Sequence, residues 1–400
     1  MPPIIFFIVV IFIMSCLYGY VGWRLITPSN FSANVNIILW VFVIALLLTL
    51  ILTFILRANK FENTFSDIIS WVGYIGFGLV TILFAFVFVK DIIWLTGIIS
   101  HKIYLFATSL LSSQESNKVV VDNSRREFLI NSINVGILTA SAGLTGWGIF
   151  NVMSKPKVEK ITIPIQNLPD ELNGLTIAQF SDLHVGATIQ KSFVDTVVKQ
   201  INELNADIIA FTGDLVDGSV DALRKHVESL TKLKSKYGKY FITGNHEYYS
   251  GALEWVDEAN RLGFTTLINE NRKIQIGKSS LMLAGVTDWS GGQFYESHKS
   301  DPIKSSQANY KPDLKVLLAH QPKSIKDASK AGFDIQLSGH THGGQYFPYT
   351  FMVKLDQPYV KGLHKYENTW LYINKGTGYW GPPLRIGVPS EITLITITKA

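Results

Sequence analysis

The sequence predicts an all-α, membrane-spanning N-terminal region followed by a mixed α/β (α+β) domain. Three observations predict it. Long charge-free runs are confined to the part before Lys155, and nearly all clusters of His, Asp and Asn lie after it. Within that second part, short apolar runs of strand length alternate with stretches of helical period. Of 400 residues 47% are hydrophobic, which is high for a soluble enzyme and suits segments that face lipid. The expected boundaries are 1–154 for the helical region, 155–164 for a linker and first strand, and 165–400 for the second domain. A net charge of +5 does not point to nucleic acid, because Arg57, Lys60, Arg125, Arg126, Lys155 and Lys157 flank apolar runs, where they serve topology and headgroup contact. No nucleic-acid partner is expected. The single cysteine, Cys16, excludes an intrachain disulfide and a cysteine-based metal site.

Residues 4–21, 35–56 and 68–89 carry no charge, and each is long enough as a helix to cross a hydrocarbon core of about 30 Å. The run 92–111 is weaker, since Lys102 falls near its middle and a central lysine costs roughly 2.5–3.5 kcal/mol. Residues 128–154 form the last span, rich in small residues suited to close helix packing. Four or five crossings are therefore expected. No basic residue precedes the first run, so it is not shaped like a cleavable signal. Ser124-Arg125-Arg126-Glu127-Phe128-Leu129 looks like a twin-arginine export signal, with an ordinary basic helix flank as the other reading. Lys155, Lys157 and Lys160 balance Lys118, Arg125 and Arg126, so charge alone does not set orientation. The three early spans lack the internal charges and prolines of a transport path. They read as an anchor or a lipid-access scaffold.

After Lys155-Pro156-Lys157, residues 158–164 alternate like an edge strand, and 175–180 read as an inner strand entering Ser181-Asp182-Leu183-His184. Residues 191–204 place Phe193, Val194, Val197, Val198, Ile201 and Leu204 at helical spacing. Strand 207–212 ends in Gly213-Asp214-Leu215-Val216-Asp217, and a helix at 220–233 leads to strand 240–243, which stops at Gly244-Asn245-His246-Glu247. Three times an apolar strand delivers a carboxylate, amide or imidazole to its C-terminal end, where ligands collect in open α/β sheets. A helix at 252–261 is followed by strands at 264–267, 280–286, 314–319, 334–338, 370–373 and 392–398. The third of these closes in His320-Gln321-Pro322 and the fourth in Gly339-His340-Thr341-His342-Gly343-Gly344. Two imidazoles one residue apart share a face, and neutral imidazole is a common metal ligand.

Taken singly, Asp182, His184, Asp214, Asn245, His320, His340 and His342 each read as a solvated strand end or a hydrogen-bonded core group. Together they suffice for two metal ions sharing one carboxylate, and ions about 3.5–4 Å apart can share a bridging hydroxide and clamp a phosphoryl group. The donor set suits two divalent ions drawn from Mn, Fe, Zn or Ni.

These motifs resemble the calcineurin-like metallophosphoesterases, whose pattern is D-x-H, G-D-x-x-D, G-N-H-[DE], a later H, and G-H-x-H. The resemblance runs from residue 158 to the C-terminus. It implies a four-layer α/β/β/α sandwich and a metal-dependent phosphoesterase or pyrophosphatase that attacks with metal-bound hydroxide. It also implies that one metal takes Asp182, His184, Asp214 and His342, and the other Asp214, Asn245, His320 and His340. His246 would meet the substrate as phosphate binder and general acid, with Asp217 orienting its ring. The anchor, Ser124 to Leu129, and Gly376-Thr377-Gly378-Tyr379-Trp380-Gly381-Pro382-Pro383-Leu384-Arg385 look like the membrane-anchored subgroup. That subgroup includes twin-arginine-exported bacterial members and a lipid A pathway enzyme that cleaves UDP-2,3-diacylglucosamine. The anchor motivates a phosphorylated, lipid-linked small molecule as substrate; Tyr379 and Trp380 suit contact with membrane lipids and Arg385 suits phosphate, with packing and a surface salt bridge as the other readings. The catalytic domain is expected outside the cytoplasm, its cytoplasmic face being the alternative. A non-catalytic metal- or phosphate-binding membrane sensor is the second class.

Overall fold

The computed structural model describes residues 3–29, 31–111 and 123–400; Lys118 lies outside them. The charge-free runs form helices α1 (Pro3–Ile26), α2 (Ala33–Ala58), α3 (Thr64–Leu111) and α4 (Asn123–Met153). Among the described residues these four are long and apolar enough to cross a membrane. The segments expected separately at 68–89 and 92–111 are one helix of 48 residues, about 72 Å at 1.5 Å per residue. Only Lys90-Asp91 divides them, and a charged pair interrupts hydropathy without breaking a helix as proline would.

Two compact units result, Met1–Ile55 with Val72–Trp147, and Leu56–Trp71 with Gly148–Ala400. In the first, Tyr18, Val21, Leu25, Leu50, Val80, Leu83 and Val87 make the buried seam. Phe12, Ile13, Ile38, Val41, Phe42 and Leu48 stay exposed, a surface matched to lipid rather than water. Asp91 accepts hydrogen bonds from Arg24 Nε at 2.6 Å and Tyr20 Oη at 2.5 Å.

The second unit runs β1 (Lys157–Ile165), β2 (Thr176–Phe180), α5 (Lys191–Glu203), β3 (Ile208–Phe211), α6 (Val220–Val227), β4 (Lys239–Phe241), α7 (Asn245–Ser250), α8 (Ala252–Arg261), β5 (Thr265–Thr266), β6 (Glu270–Ile276), β7 (Ser279–Gly285), α9 (Pro302–Ser305), β8 (Leu314–Leu318), α10 (Ile325–Lys330), β9 (Ile335–Ser338), α11 (Tyr349–Asp356), β10 (Gly362–Tyr366), β11 (Thr369–Ile373) and β12 (Glu391–Lys399). Among the described residues the strands form two six-stranded sheets, ordered β1-β12-β2-β3-β4-β5 and β10-β11-β9-β8-β7-β6. Strands β2 to β5 are mutually parallel, as are β7, β8, β9 and β11.

Both faces of the central strands are buried, which is why they read as continuous apolar runs. The pleat still sorts them. In β2 and β3, Ile177, Ile208 and Ala210 face the interior between the sheets, where they meet Leu281, Leu283, Val316, Leu318 and Leu337. Ala178, Phe180, Ile209 and Phe211 face outward onto Val194, Val197 and Ile201 of α5 and Trp255 and Ala259 of α8. Met282, Ala284 and Leu317 pack outward on Ala328 of α10. The result is the four-layer α/β/β/α arrangement. Gln179, fully buried, ties the sheets together by donating to Ser338 O at 2.9 Å and Thr212 Oγ1 at 3.1 Å. The helix expected over 220–233 stops at Val227 and continues as a 3-10 turn, Glu228–Lys232.

Candidate metal centre

Parallel β2, β3 and β4 end beside one another, and so do β8 and β9. Their next residues are therefore the ones gathered at a common rim. Asp182 and His184 follow β2, Asp214 and Asp217 follow β3, and Asn245 and His246 open α7 after β4. His320 follows β8, and His340 and His342 follow β9. Asp182, His184, Asp214, His340 and His342 all adopt left-handed backbone, with φ of 55°, 50°, 56°, 70° and 50°. Such residues cost on the order of 1–3 kcal/mol each and persist only where surrounding bonds hold them. Here Asp182 N donates to Gly213 O at 2.9 Å, His184 N to Asp214 O at 3.1 Å and Gly339 N to His320 O at 2.9 Å. Gly244 is required by space, since a methyl there would collide with the Asp214 carboxylate.

The chain turned in this way makes two clusters, the buried Asp182, His184 and His342, and buried Asp214 and His320 with partly buried His340, each with ligand atoms within 4.8 Å of one another. Asp214 Oδ2 stands between them, 3.1 Å from His320 Nε2 and 3.7 Å from His184 Nε2. His184 Nε2 and His342 Nε2 face each other at 3.1 Å, and His342 Nε2 is 3.5 Å from Asp182 Oδ1. His320 Nδ1 donates to Thr212 O at 2.7 Å, which leaves its Nε2 lone pair turned toward Asp214. That Nε2 and the Asn245 Oδ1 are buried without a hydrogen-bond partner. Orphaned buried polar atoms are costly, and cations would satisfy both, so these residues fit divalent metal. A third group, His184, Asp217 and His246, shares His184 with the first.

For Asp214, His340 and His342 the charges agree with that fit. Burial works against ionising Asp214, yet His320, His246 and His184 hold its carboxyl well below the usual range. Burial, reinforced by His184 and Arg385, keeps His342 well below the ordinary imidazole range, and burial with His320 lowers His340 to about 4. Both rings are then neutral and able to bind metal at pH 7.

Asp217 Oδ1 accepts from two rings, His184 Nδ1 at 3.1 Å and His246 Nδ1 at 2.5 Å, fixing both orientations as carboxylates behind metal-ligating histidines do. Burial opposes a charged His246, but Asp217 and Asp214 overcome it and push the ring up to about 9. Glu247, fully buried, accepts from Gly244 N at 2.6 Å, Leu215 N at 2.7 Å and Asp214 N at 3.0 Å, so it fastens the β3 loop to the β4 loop. Burial, with Asp214 nearby, lifts its carboxyl to about 7. Glu247 is a residue the sequence reading left without a role, although it fills the acidic position of the motif.

Comparison with known proteins places this geometry. The family model described as calcineurin-like phosphoesterase matches residues 175–344. The chain is 36% identical over 299 residues to a transmembrane protein with metallophosphoesterase domain from Danio rerio, covering 73% of this chain and 67% of the relative. It is 34% identical over 302 residues to a metallophosphoesterase of Helicobacter pylori, covering 75% of this chain and 80% of the relative. The chain is a calcineurin-like metallophosphoesterase. A metallophosphoesterase of Bacillus subtilis is 30% identical over 295 residues, 97% of its length. Among solved structures, the NAD nucleotidase of Haemophilus influenzae superposes with a TM-score of 0.34 at 14% identity over 50% of each chain, too loose to carry an argument.

The metallophosphoesterase is therefore a metal-dependent phosphoester hydrolase, and relatives that carry the same domain are named as transmembrane proteins. One expectation changes. Arg385 is fully buried, and its guanidinium donates to Gly378 O at 2.6 Å, Lys375 O at 2.8 Å and Gly376 O at 3.1 Å, with His342 Nδ1 at 3.2 Å. It braces the loop behind His342 and has no face left for phosphate. Arg385→Ala would orphan several buried carbonyls at about 1–3 kcal/mol each. The expected result is a thermal midpoint lowered by several degrees with KM unchanged in the surviving folded enzyme; a raised KM at unchanged stability would restore the phosphate role.

Outside the metal clusters the rim of the metallophosphoesterase is aromatic. His246 lies 5.3 Å from the Tyr249 ring and 5.7 Å from Trp380, which in turn lies 6.3 Å from Tyr349 at the start of α11. Tyr379, by contrast, is buried, and its hydroxyl donates to Thr188 O at 3.2 Å. Helix α11 has no buried residue, and Phe351, Met352 and Leu355 are all exposed, Leu355 at 84%.

Proposed function

We propose that the protein is a membrane-anchored, two-metal phosphohydrolase that cleaves a phosphoester or pyrophosphate bond in a lipid-linked substrate such as UDP-2,3-diacylglucosamine. The supporting observation is Asp214, whose single oxygen reaches toward both clusters. Asp182, His184, Asp214 and His342 would hold one divalent cation, and Asp214, Asn245, His320 and His340 the other. Bound there, the cations supply Lewis acidity toward phosphoryl oxygens and lower the pKa of an attacking water. The remaining residues orient and move protons. Asp217 keeps Nδ1 of both His184 and His246 engaged, so that each ring turns Nε2 outward. His246, 15% exposed at its side chain, is placed to give the leaving oxygen its proton. The lipid tail is supported by the exposed apolar residues of α11 and by Trp380, which join the site to an aromatic surface of the kind found at lipid interfaces.

The test uses the full-length chain in detergent. After chelation, hydrolysis of bis(p-nitrophenyl) phosphate is expected to fall by on the order of 10² or more and to return with Mn, Zn, Fe or Ni at two ions per chain. Full activity at one ion per chain would end the two-metal reading. A lipid-linked pyrophosphate is expected to exceed its water-soluble head group by about tenfold in kcat/KM, roughly 1.4 kcal/mol. Equal efficiency would remove the lipid from the substrate.

A further inference from the structure

The connection between α2 and α3 belongs to the same compact unit as the catalytic fold, and local chemistry explains its shape. Helix α2 ends in a Schellman pattern, Phe61 N donating to Leu56 O and Lys60 N to Arg57 O, both at 2.9 Å, with Lys60 left-handed at φ 57°. Asn63 starts α3 by accepting from Ser66 N at 3.0 Å while Asn63 N donates to Ser66 Oγ at 3.0 Å. Arg57 donates to Asp67 at 2.7 Å across the two helix ends. A rigid five-residue turn therefore presents Glu62 in one direction.

Glu62 reaches Ser219, the N-cap of α6. One carboxylate oxygen accepts from Ser219 N at 2.9 Å, and the other bonds to Ser219 Oγ. Ser219 Oγ in turn accepts from Ala222 N at 3.4 Å. In a capping box, the residue three past the cap supplies a Glu or Gln that reaches back to the cap N–H. Here that position is Ala222, and Glu62 provides the missing carboxylate from far away in the chain. Gly218 has no side chain where Glu62 lies against it, and its carbonyl accepts from Trp255 Nε1 at 2.9 Å. Asp67 makes a parallel contact, accepting from Gln190 Nε2 at 3.2 Å at the N-cap of α5. Thus two acids, Glu62 in the turn and Asp67 in the first turn of α3, touch the starts of the two helices that follow the Asp182–His184 and Asp214–Asp217 loops.

We propose that Glu62 is a positioning residue for the hydrolase site, holding Ser219 and so the Asp217 carboxylate two residues before it, and that this docking fixes the topology of the anchor. The positioning half rests on the hydrolase reading; the docking half does not. If the α2–α3 turn sits against the catalytic fold, the two lie on one side of the membrane. The chain then crosses an even number of times between Trp71 and Gly148, as α3 and α4 in single passes would do. Four crossings follow, with Arg24, Lys90, Lys102, Arg125 and Arg126 at the other face against Arg57, Lys60, Lys155, Lys157 and Lys160 at this one. Basic residues flank both faces in near-equal number, so the docking sets which segments share a face and the charges do not set which face is cytoplasmic.

Hydrogen exchange and kinetics on the full-length chain in detergent test the positioning. In Glu62→Ala, amides of 213–224 are expected to exchange faster, and kcat to fall about five- to tenfold, as for loss of a cap, with KM unchanged. Adding Ala222→Glu, which rebuilds the capping box locally, is expected to restore both. Unchanged exchange overturns the docking, and faster exchange with wild-type kcat overturns the positioning. Faster exchange in a chain whose wild type hydrolyses nothing would uphold the docking and sink the hydrolase reading. For topology, cysteines placed by Ala58→Cys, Ala400→Cys or Arg126→Cys in a Cys16→Ser background are labelled with an impermeant maleimide. The first two are expected to react from one face and the third from the opposite face. Labelling of Ala58→Cys and Ala400→Cys from opposite faces would overturn it.

Discussion

Replacing Asp214 by asparagine is expected to lower kcat/KM on a chromogenic phosphodiester by on the order of 10³ or more and to strip the protein of bound metal. The substitution keeps the shape of the side chain and removes its charge. That charge attracts both His320 and His184, at 3.1 Å and 3.7 Å from the same oxygen. It also receives the His246 amide, at 2.9 Å from Oδ1, so the variant disturbs the loop carrying the proposed acid. The losses should exceed the 10²–10³ typical of deleting a single preorganised electrostatic contact, because two cation sites lose one ligand together. Metal content per folded chain by mass spectrometry and hydrolysis in the same preparation check this. Asp214→Asn with near wild-type turnover and two ions bound would mean the carboxylate does not join the sites.

His246→Gln is expected to separate chemistry from metal binding. Its ring is oriented by Asp217 at 2.5 Å, and in the proposed division of roles it holds no cation. Bound metal should stay at two per chain, while kcat for an alkyl leaving group falls by roughly 10²–10⁴, the range for a general acid. For p-nitrophenolate, which leaves without help, the loss should be far smaller. The comparison of leaving groups within one variant is the measurement. Loss of one ion instead would assign the third group, His184, Asp217 and His246, to metal. An equal rate loss for both leaving groups would move His246 from proton donor to phosphate binder.

What was legible in the sequence is what depends on short-range pattern. Apolar strands that stop at glycine, then at Asp, His or Asn, announce side chains collected at a sheet rim, because a parallel sheet sets its C-terminal ends side by side. Buried strands were legible too, for Ile, Leu and Val runs such as β3 and β8 are what a strand buried on both faces requires, while their division between two sheets came only from the family resemblance. Strand β6 was not, since Glu270-Asn271-Arg272-Lys273 reads as a solvated loop; it is an edge strand, where charge guards an open ladder. Helix α11 was missed for a related reason, having no buried face to set a period. Gln179 and Glu62 act through partners distant in the chain, Ser338 for Gln179 and Ser219 for Glu62. No local pattern carries that information. The continuity of α3 was hidden by Lys90 and Asp91, which a hydropathy argument treats as a boundary and a backbone does not.

The left-handed turns at Asp182, His184, Asp214, His340 and His342 bear on anyone wishing to transplant this centre. Copying the seven side chains onto another scaffold in ordinary extended backbone would aim most of them away from a common point, however well the residues were chosen. The graft has to carry the loops whole, with Gly213, Gly244 and Gly339 beside them. A host that does not already tolerate those turns would have to recover their cost from the incoming cations, and its affinity for them would be weaker by that amount.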